Sequence, residues 1–188
     1  HVGSLSLTDD PSRTATYEAI NIARNSGAVI SYDPNYRAAL WSDPETAQLR
    51  MQSLIPYVDM MKISDEETSL LTPYQDPEEA IQYLLRQGVH LVAVTLGRDG
   101  ALIGNENGIV KAEGFSSHAV DTTGAGDSFW GGFLASYLQE ETSPEHLTRA
   151  QMIQFGRVGN AVASLCVERR GGISAIPEME EIEERLRG

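Results

Sequence analysis

Val120-Asp121-Thr122-Thr123-Gly124-Ala125-Gly126-Asp127-Ser128-Phe129 sets two glycines, two threonines and two acids between an extended run and an amphipathic helix. From Ala125 onward, Phe129, Trp130, Phe133, Leu134, Tyr137 and Leu138 recur at three- and four-residue spacing, which predicts a helix with one broad apolar stripe. The glycine loop therefore opens directly onto a helix N-terminus. First-turn N–H groups there have no intrahelical acceptor and the helix dipole adds partial positive charge, so main chain alone can hold a phosphate oxygen. Gly124 and Gly126, with Ala125 between them, let the backbone approach an anion closely. Asp127 would then sit beside that anion, where a carboxylate can accept the proton of an alcohol during phosphoryl transfer. Taken alone, the pattern equally suits a plain turn in which Asp127 caps the helix.

On either side of this stretch the chain alternates strand and helix signals. Val2–Leu7 reads as a buried strand, 11–26 as a helix stopped by Gly27, and 28–32 as a strand ended by Asp33-Pro34-Asn35-Tyr36-Arg37. A helix over 44–55, a strand over 58–63, a helix over 76–87 and a strand over 91–95 follow. Then come a hairpin of 101–104 and 108–112 around Asn105-Glu106-Asn107, a long helix within 144–168 and a charged helix over 178–187 with Met179, Ile182 and Leu186 on one side. Repeated strand–helix–strand units imply right-handed crossovers, and hence an α/β fold with a mainly parallel sheet covered by helices on both faces. In such sheets functional residues collect at strand carboxyl ends. Asp33, Asn35 and Arg37 lie at one such end, Ser64-Asp65-Glu66-Glu67 at a second, and Thr95 with Gly97-Arg98-Asp99-Gly100 at a third. Each also has a plain reading, respectively a proline-ordered turn, acids complementing a helix dipole, and a tight turn into a hairpin.

With 188 residues, 41% of them hydrophobic and 22% charged, the chain can bury one core of ordinary size and reads as a single domain or part of one. A net charge of −13 with only 14 Lys plus Arg argues against a nucleic-acid or anionic-membrane surface. The single cysteine, Cys166, lies in an apolar helical run with Val162 and Leu165, so it reads as a small buried hydrophobe, and no disulfide can form within the chain. No apolar run approaches membrane-spanning length and no secretory pattern opens the chain, so a cytoplasmic protein is expected. A dinucleotide-binding reading fails on detail: the glycine loop comes late, lacks G-x-G-x-x-G and carries an acid where pyrophosphate would lie.

The string Asp-Thr-Thr-Gly-Ala-Gly-Asp at 121–127, followed by Ser-Phe and by Gly131-Gly132-Phe133, resembles the second signature of the ribokinase-like (PfkB) sugar kinases. The resemblance spans nearly all of the chain, although only that string is highly specific. It implies a three-layer α/β/α domain over 1–188, with the N-terminal portion and lid that such kinases carry missing here, and it leaves room for a homo-oligomer that covers an open sheet edge. It further implies ATP-dependent phosphorylation of a sugar hydroxyl, with Asp127 as base and the 124–126 backbone as anion hole. Thr95-x-Gly97-x-x-Gly100 is similar to the family's nucleotide segment, with Arg98 offering charge to the phosphates, and Thr123, Gly124 and Gly126 would complete the phosphate side. Asn160 maps to a residue near the adenine, though a single Asn equally suits helix packing. Glu67 stands where the family's Asn-x-x-Glu acid organises magnesium through water, with Ser64 in place of the Asn. Asp121 and Thr123 lie where some members hold a monovalent cation such as K+. Asp-Pro-Asn-x-Arg at 33–37 with Leu40-Trp41 resembles the fructokinase-like members and places Arg37 near the sugar or the transferred phosphate. The alternatives are a nucleotide-binding fragment without activity, or a member acting on 2-keto-3-deoxygluconate or a nucleoside.

Overall fold

Short apolar runs become strands and Asp-Pro pairs open helices, which spaces the elements much as the pattern predicts. In the computed structural model, which describes residues 1–188, the chain forms two units, His1–Val94 and Thr95–Gly188. The first contains β1 (Val2–Gly3), α1 (Ser12–Asn25), β2 (Ser31–Asp33), α2 (Pro44–Gln52), β3 (Met60–Ser64), α3 (Thr68–Leu71), α4 (Pro77–Arg86) and β4 (Leu91–Thr95), whose last residue begins the second unit. The strands lie in the order β1-β2-β3-β4. β1 runs parallel to β2 with Gly3 opposite Asp33, and β2 runs parallel to β3 with Ser31 opposite Met60 and Tyr32 opposite Met61. Asp43 and Asp76 cap α2 and α4, accepting from the N–H groups of Thr46 and Glu79, and each is followed by proline at the first helical position. β3 and β4 are apolar almost throughout, with Met60, Met61, Ile63 and Leu91 to Val94 buried, as strands covered on both faces require.

Two strand expectations are corrected here. The run Val2–Leu7 leaves the sheet after Gly3, because Ser4 turns to donate from both its N–H and its hydroxyl to the Pro34 carbonyl, and Leu5–Leu7 forms a 3-10 turn. The strand read at 28–32 is shifted to Ser31–Asp33. Ile30 donates its N–H to the Asp59 carboxylate and accepts from the N–H groups of Asp59 and Met60, so Ala28 and Val29 precede the ladder and Val29 is 46% exposed.

In the second unit β5 (Ala101–Asn105) and β6 (Gly108–Ala112) form the expected antiparallel hairpin, with a two-residue turn and Gly108 at φ +103°. α5 (Ala125–Tyr137), α6 (Arg149–Cys166) and α7 (Met179–Arg187) follow. α5 and α6 cross closely on small residues. A Cβ on Gly132 would lie 2.9 Å from Val162 and 3.2 Å from the Gly159 Cα, and one on Gly159 would lie 2.7 Å from the Phe129 carbonyl oxygen. Around that crossing Trp130 stacks on Phe133, with ring centroids 5.1 Å apart, and Phe155 meets Phe133 edge-on at 5.8 Å. Ile182 of α7 joins Ala161, Val162 and Leu165 of α6. The apolar stripes are narrower than read: Leu138 falls just past the end of α5 and is 74% exposed, and Met179 opens α7 and is 66% exposed. Cys166 is free and buried, and no helix is long and apolar enough to cross a membrane.

Candidate functional site

The glycine loop of the second unit is a helix N-terminus with a fixed approach. Gly124 is the N-cap of α5 at φ +78°, a left-handed conformation that only glycine adopts without strain, and the first intrahelical bond runs from Ser128 N–H to the Gly124 carbonyl at 2.8 Å. Ala125 and Gly126 occupy the first two helical positions, and Asp127 the third, with an exposed side chain. A Cβ on Gly124 would stand 3.1 Å from the Gly172 Cα, so the loop is pressed against a second glycine turn at 171–172.

Asp121 ties the two turns together. Its Oδ1 accepts from the Thr123 N–H and its Oδ2 from the Gly171 N–H, both at 2.9 Å. These main-chain bonds, Gly171 first and Thr123 second, hold its carboxyl down to about 2 from the ordinary 3.8, and the Arg170 guanidinium adds a smaller push. The Val167 carbonyl at the end of α6 accepts from the N–H groups of both Val120 and Asp121, and the Cys166 thiol donates to the Thr123 carbonyl at 3.8 Å. The loop before α5 is therefore pre-organised by the end of α6. Because both Asp121 oxygens already serve main-chain donors, a cation here would have to share them.

The turn after β4 is built for glycine too. Gly97 and Gly100 have φ of +56° and +93°, Leu96 N–H donates to the Gly100 carbonyl at 2.8 Å, and a Cβ on Gly100 would fall 2.1 Å from the Ala112 carbonyl oxygen. Thr95 is half-buried at the end of β4, and Arg98 is exposed on the turn. Asn160 is buried, and its amide donates to the carbonyls of Ala112 and Glu113 at 2.9 and 3.1 Å. Its NH2 group is thus spent on holding the end of β6 to α6, leaving only the carbonyl side for a ligand.

In the first unit the carboxyl ends of β2 and β3 form one network. Asp33 Oδ1 accepts from the Asn35 N–H at 3.1 Å, and Asn35 sits at φ +48°, which Asn tolerates better than most residues. Glu67 is buried: its Oε1 accepts from the Tyr36 N–H at 2.8 Å, and its Oε2 from the N–H and hydroxyl of Ser64 at 2.9 and 3.1 Å. The acid expected to organise magnesium is thus first a clamp on the 33–37 segment. Arg37 follows that segment with its side chain exposed, Nη1 donating to the Tyr36 carbonyl at 3.0 Å. Trp41 is buried with its indole N–H unpaired. Sequence reading passed over Lys62, whose ammonium lies 2.9 Å from Asp33 Oδ2 inside the protein. Its one legible signal is a lone cation within an otherwise apolar strand.

No three His, Cys, Asp or Glu side chains gather into a metal-binding group. Glu67, the acid expected beside a metal, already accepts through both carboxylate oxygens from the Tyr36 and Ser64 N–H groups and the Ser64 hydroxyl. The class defined so far is an α/β protein with a helix-N-terminal anion loop and an acid in the first turn of that helix. Residues 1–179 match the pfkB family of carbohydrate kinases, and the chain belongs to that family. It is 35% identical over 190 residues to probable fructokinase-4 of Arabidopsis thaliana, an alignment covering 100% of this chain and 57% of that protein. Its structure is similar to that of fructokinase from Vibrio cholerae O395 solved with fructose, ADP and calcium ion bound, with a TM-score of 0.91 and 32% identity over 99% of this chain and 59% of the other. A putative ribokinase II from E. coli in complex with ATP and Mg2+ is also similar, with a TM-score of 0.85 and 30% identity over 100% of this chain and 57% of that one. The chain thus spans less than two thirds of the length of each of these three relatives, and its fold is the mainly parallel, ribokinase-like α/β fold they share.

Proposed function

We propose that this chain carries the phosphate-handling and catalytic part of an ATP-dependent sugar kinase of the fructokinase kind. The observation that carries the reading is the start of α5: a left-handed Gly124 at the N-cap, pressed against Gly172, with Asp127 in the first turn. A side chain at 124 would crowd the Gly172 backbone and strain the left-handed N-cap, so glycine here keeps the loop in the form whose N–H groups can meet a phosphoryl group. The backbone of Gly124, Ala125 and Gly126 would gather the charge of the transferred group, while Asp127 accepts the proton of the sugar hydroxyl. Positioning and electrostatics supply most of the rate in phosphoryl transfer, so the anion hole matters as much as the base. Thr95, Gly97, Gly100 and Thr123 would flank the nucleotide, with Asn160 behind them, and Glu67 would reach the metal through water. ATP brings the phosphoryl group and Mg2+ neutralises its charge. Arg37 would contact the sugar, and fructose is the favoured acceptor because of Asp33-Pro34-Asn35-x-Arg37 and the fructokinases among the relatives.

The test is ADP release from ATP and magnesium with fructose, ribose, 2-keto-3-deoxygluconate and adenosine in turn, on this chain and on the whole protein that carries it. Turnover with fructose above the other acceptors is expected. Turnover with none of the four, despite ATP binding, would overturn the reading.

A further inference from the structure

The register of the first unit sets Ser31 beside Met60 and Tyr32 beside Met61, which brings Asp33 level with Lys62 on the same face of the sheet. The two are 3% and 5% exposed and their charged atoms are 2.9 Å apart. A buried ion pair adds little net stability over an apolar pair of similar volume, so its worth is sought in what it orients. Asp33 is the last residue of β2, and its second oxygen accepts from the Asn35 N–H, so Lys62 acts on a carboxylate that itself shapes the segment beyond. That segment is tied at every residue. Pro34 is held through its carbonyl by Ser4, Asn35 takes the left-handed turn, and Tyr36 is held through its N–H by Glu67. Arg37 is the first residue after these ties and the first with an exposed side chain.

We infer that Lys62 is a positioning residue for the acceptor side of the reaction: its buried ammonium, paired with Asp33, sets the course of residues 33–37 and through it the placement of the Arg37 guanidinium. The inference rests on the proposed contact between Arg37 and the sugar. It separates two halves of the machinery, because the loop at 124–126 that would hold phosphate is anchored within the second unit by Asp121, Val167 and Cys166.

The test is steady-state kinetics of the whole protein carrying Lys62→Met with Asp33→Asn, which removes both charges of the pair together. Lys62→Arg is a second variant that keeps the charge and alters its reach, and Arg37→Ala reports on the underlying reading. The double variant is expected to raise the KM for fructose by about tenfold or more while the KM for ATP stays within about twofold, and Lys62→Arg to show the same split at smaller size. Raised fructose KM in Arg37→Ala with no change in the double variant would overturn the role of Lys62 and leave that of Arg37 standing. An unchanged fructose KM in Arg37→Ala would remove the sugar contact and the inference with it. A parallel rise in both KM values in the double variant would mark a general loss of structure and also overturn it.

Discussion

Asp121 Oδ2 accepts a hydrogen bond from the Gly171 N–H at 2.9 Å, which closes the loop before α5 onto the turn after α6 across fifty residues of chain. Because main-chain donors hold the folded carboxyl at about 2 against an ordinary 3.8, this contribution to stability is fully present above about pH 4 and is lost as pH falls toward 2. Urea unfolding of the protein between pH 5 and 2 should therefore show a fall in stability that is smaller in Asp121→Asn. A curve of the same shape in both would remove Asp121 as the cause. The proposed monovalent-cation site is testable by the same variant. If K+ also shares Asp121 and Thr123, replacing potassium by sodium should slow the parent enzyme and leave Asp121→Asn unaffected.

Asp127→Asn should leave ATP affinity nearly intact and lower turnover by ~10²-fold or more, since the amide keeps the shape of the first turn but cannot accept the hydroxyl proton. Calorimetric ATP binding beside single-turnover kinetics measures both. Near-normal turnover would sink the role of Asp127 as base.

Gly124→Ala should cost roughly 1–2 kcal/mol of stability from the left-handed backbone at φ +78°, with more from the crowding of Gly172 at 3.1 Å. ATP affinity should fall with it, because the loop must open to admit the methyl group. Denaturant titration and nucleotide binding on the same sample would separate this from a change in stability alone.

Gly159→Ala should destabilise by about 1–3 kcal/mol, because its Cβ would lie 2.7 Å from the Phe129 carbonyl oxygen and 2.8 Å from the Phe129 ring. Gly131→Ala serves as the contrast. Nothing lies within 4 Å of a Cβ there, so helix propensity should make it neutral or stabilising by up to ~1 kcal/mol. Equal effects of the two in urea unfolding would contradict the close α5–α6 crossing.

Glu67→Gln should loosen the 33–37 segment, since an amide has one acceptor oxygen for the Tyr36 and Ser64 N–H groups that the carboxylate serves with two. A rise in fructose KM at unchanged magnesium requirement would mark Glu67 as a clamp. A rise in the magnesium needed for half-maximal rate would mark it as a metal organiser as well.

Much of this protein can be read along the chain because its signals are local. The Asp-Pro starts of α2 and α4, the apolar run of β4, the hairpin around Glu106-Asn107 and the glycine loop opening α5 each depend on neighbours within a few residues, where propensity, capping and turn chemistry act. The family string at 121–127 is legible for the same reason. The tertiary structure decided which polar groups are spent and which are left. Asn160 suits either a nucleotide contact or helix packing in one dimension, and the fold shows its NH2 group spent on carbonyls 47 and 48 residues away. Glu67 reads as a helix-start acid, yet it holds the Tyr36 N–H from 31 residues on. Lys62 drew no reading from the sequence, and parallel register gives it Asp33 as a partner. Burying a charge or an amide is unfavourable unless a partner meets it, and such partners come from other strands and helices, so only the folded chain could show where each of these residues acts.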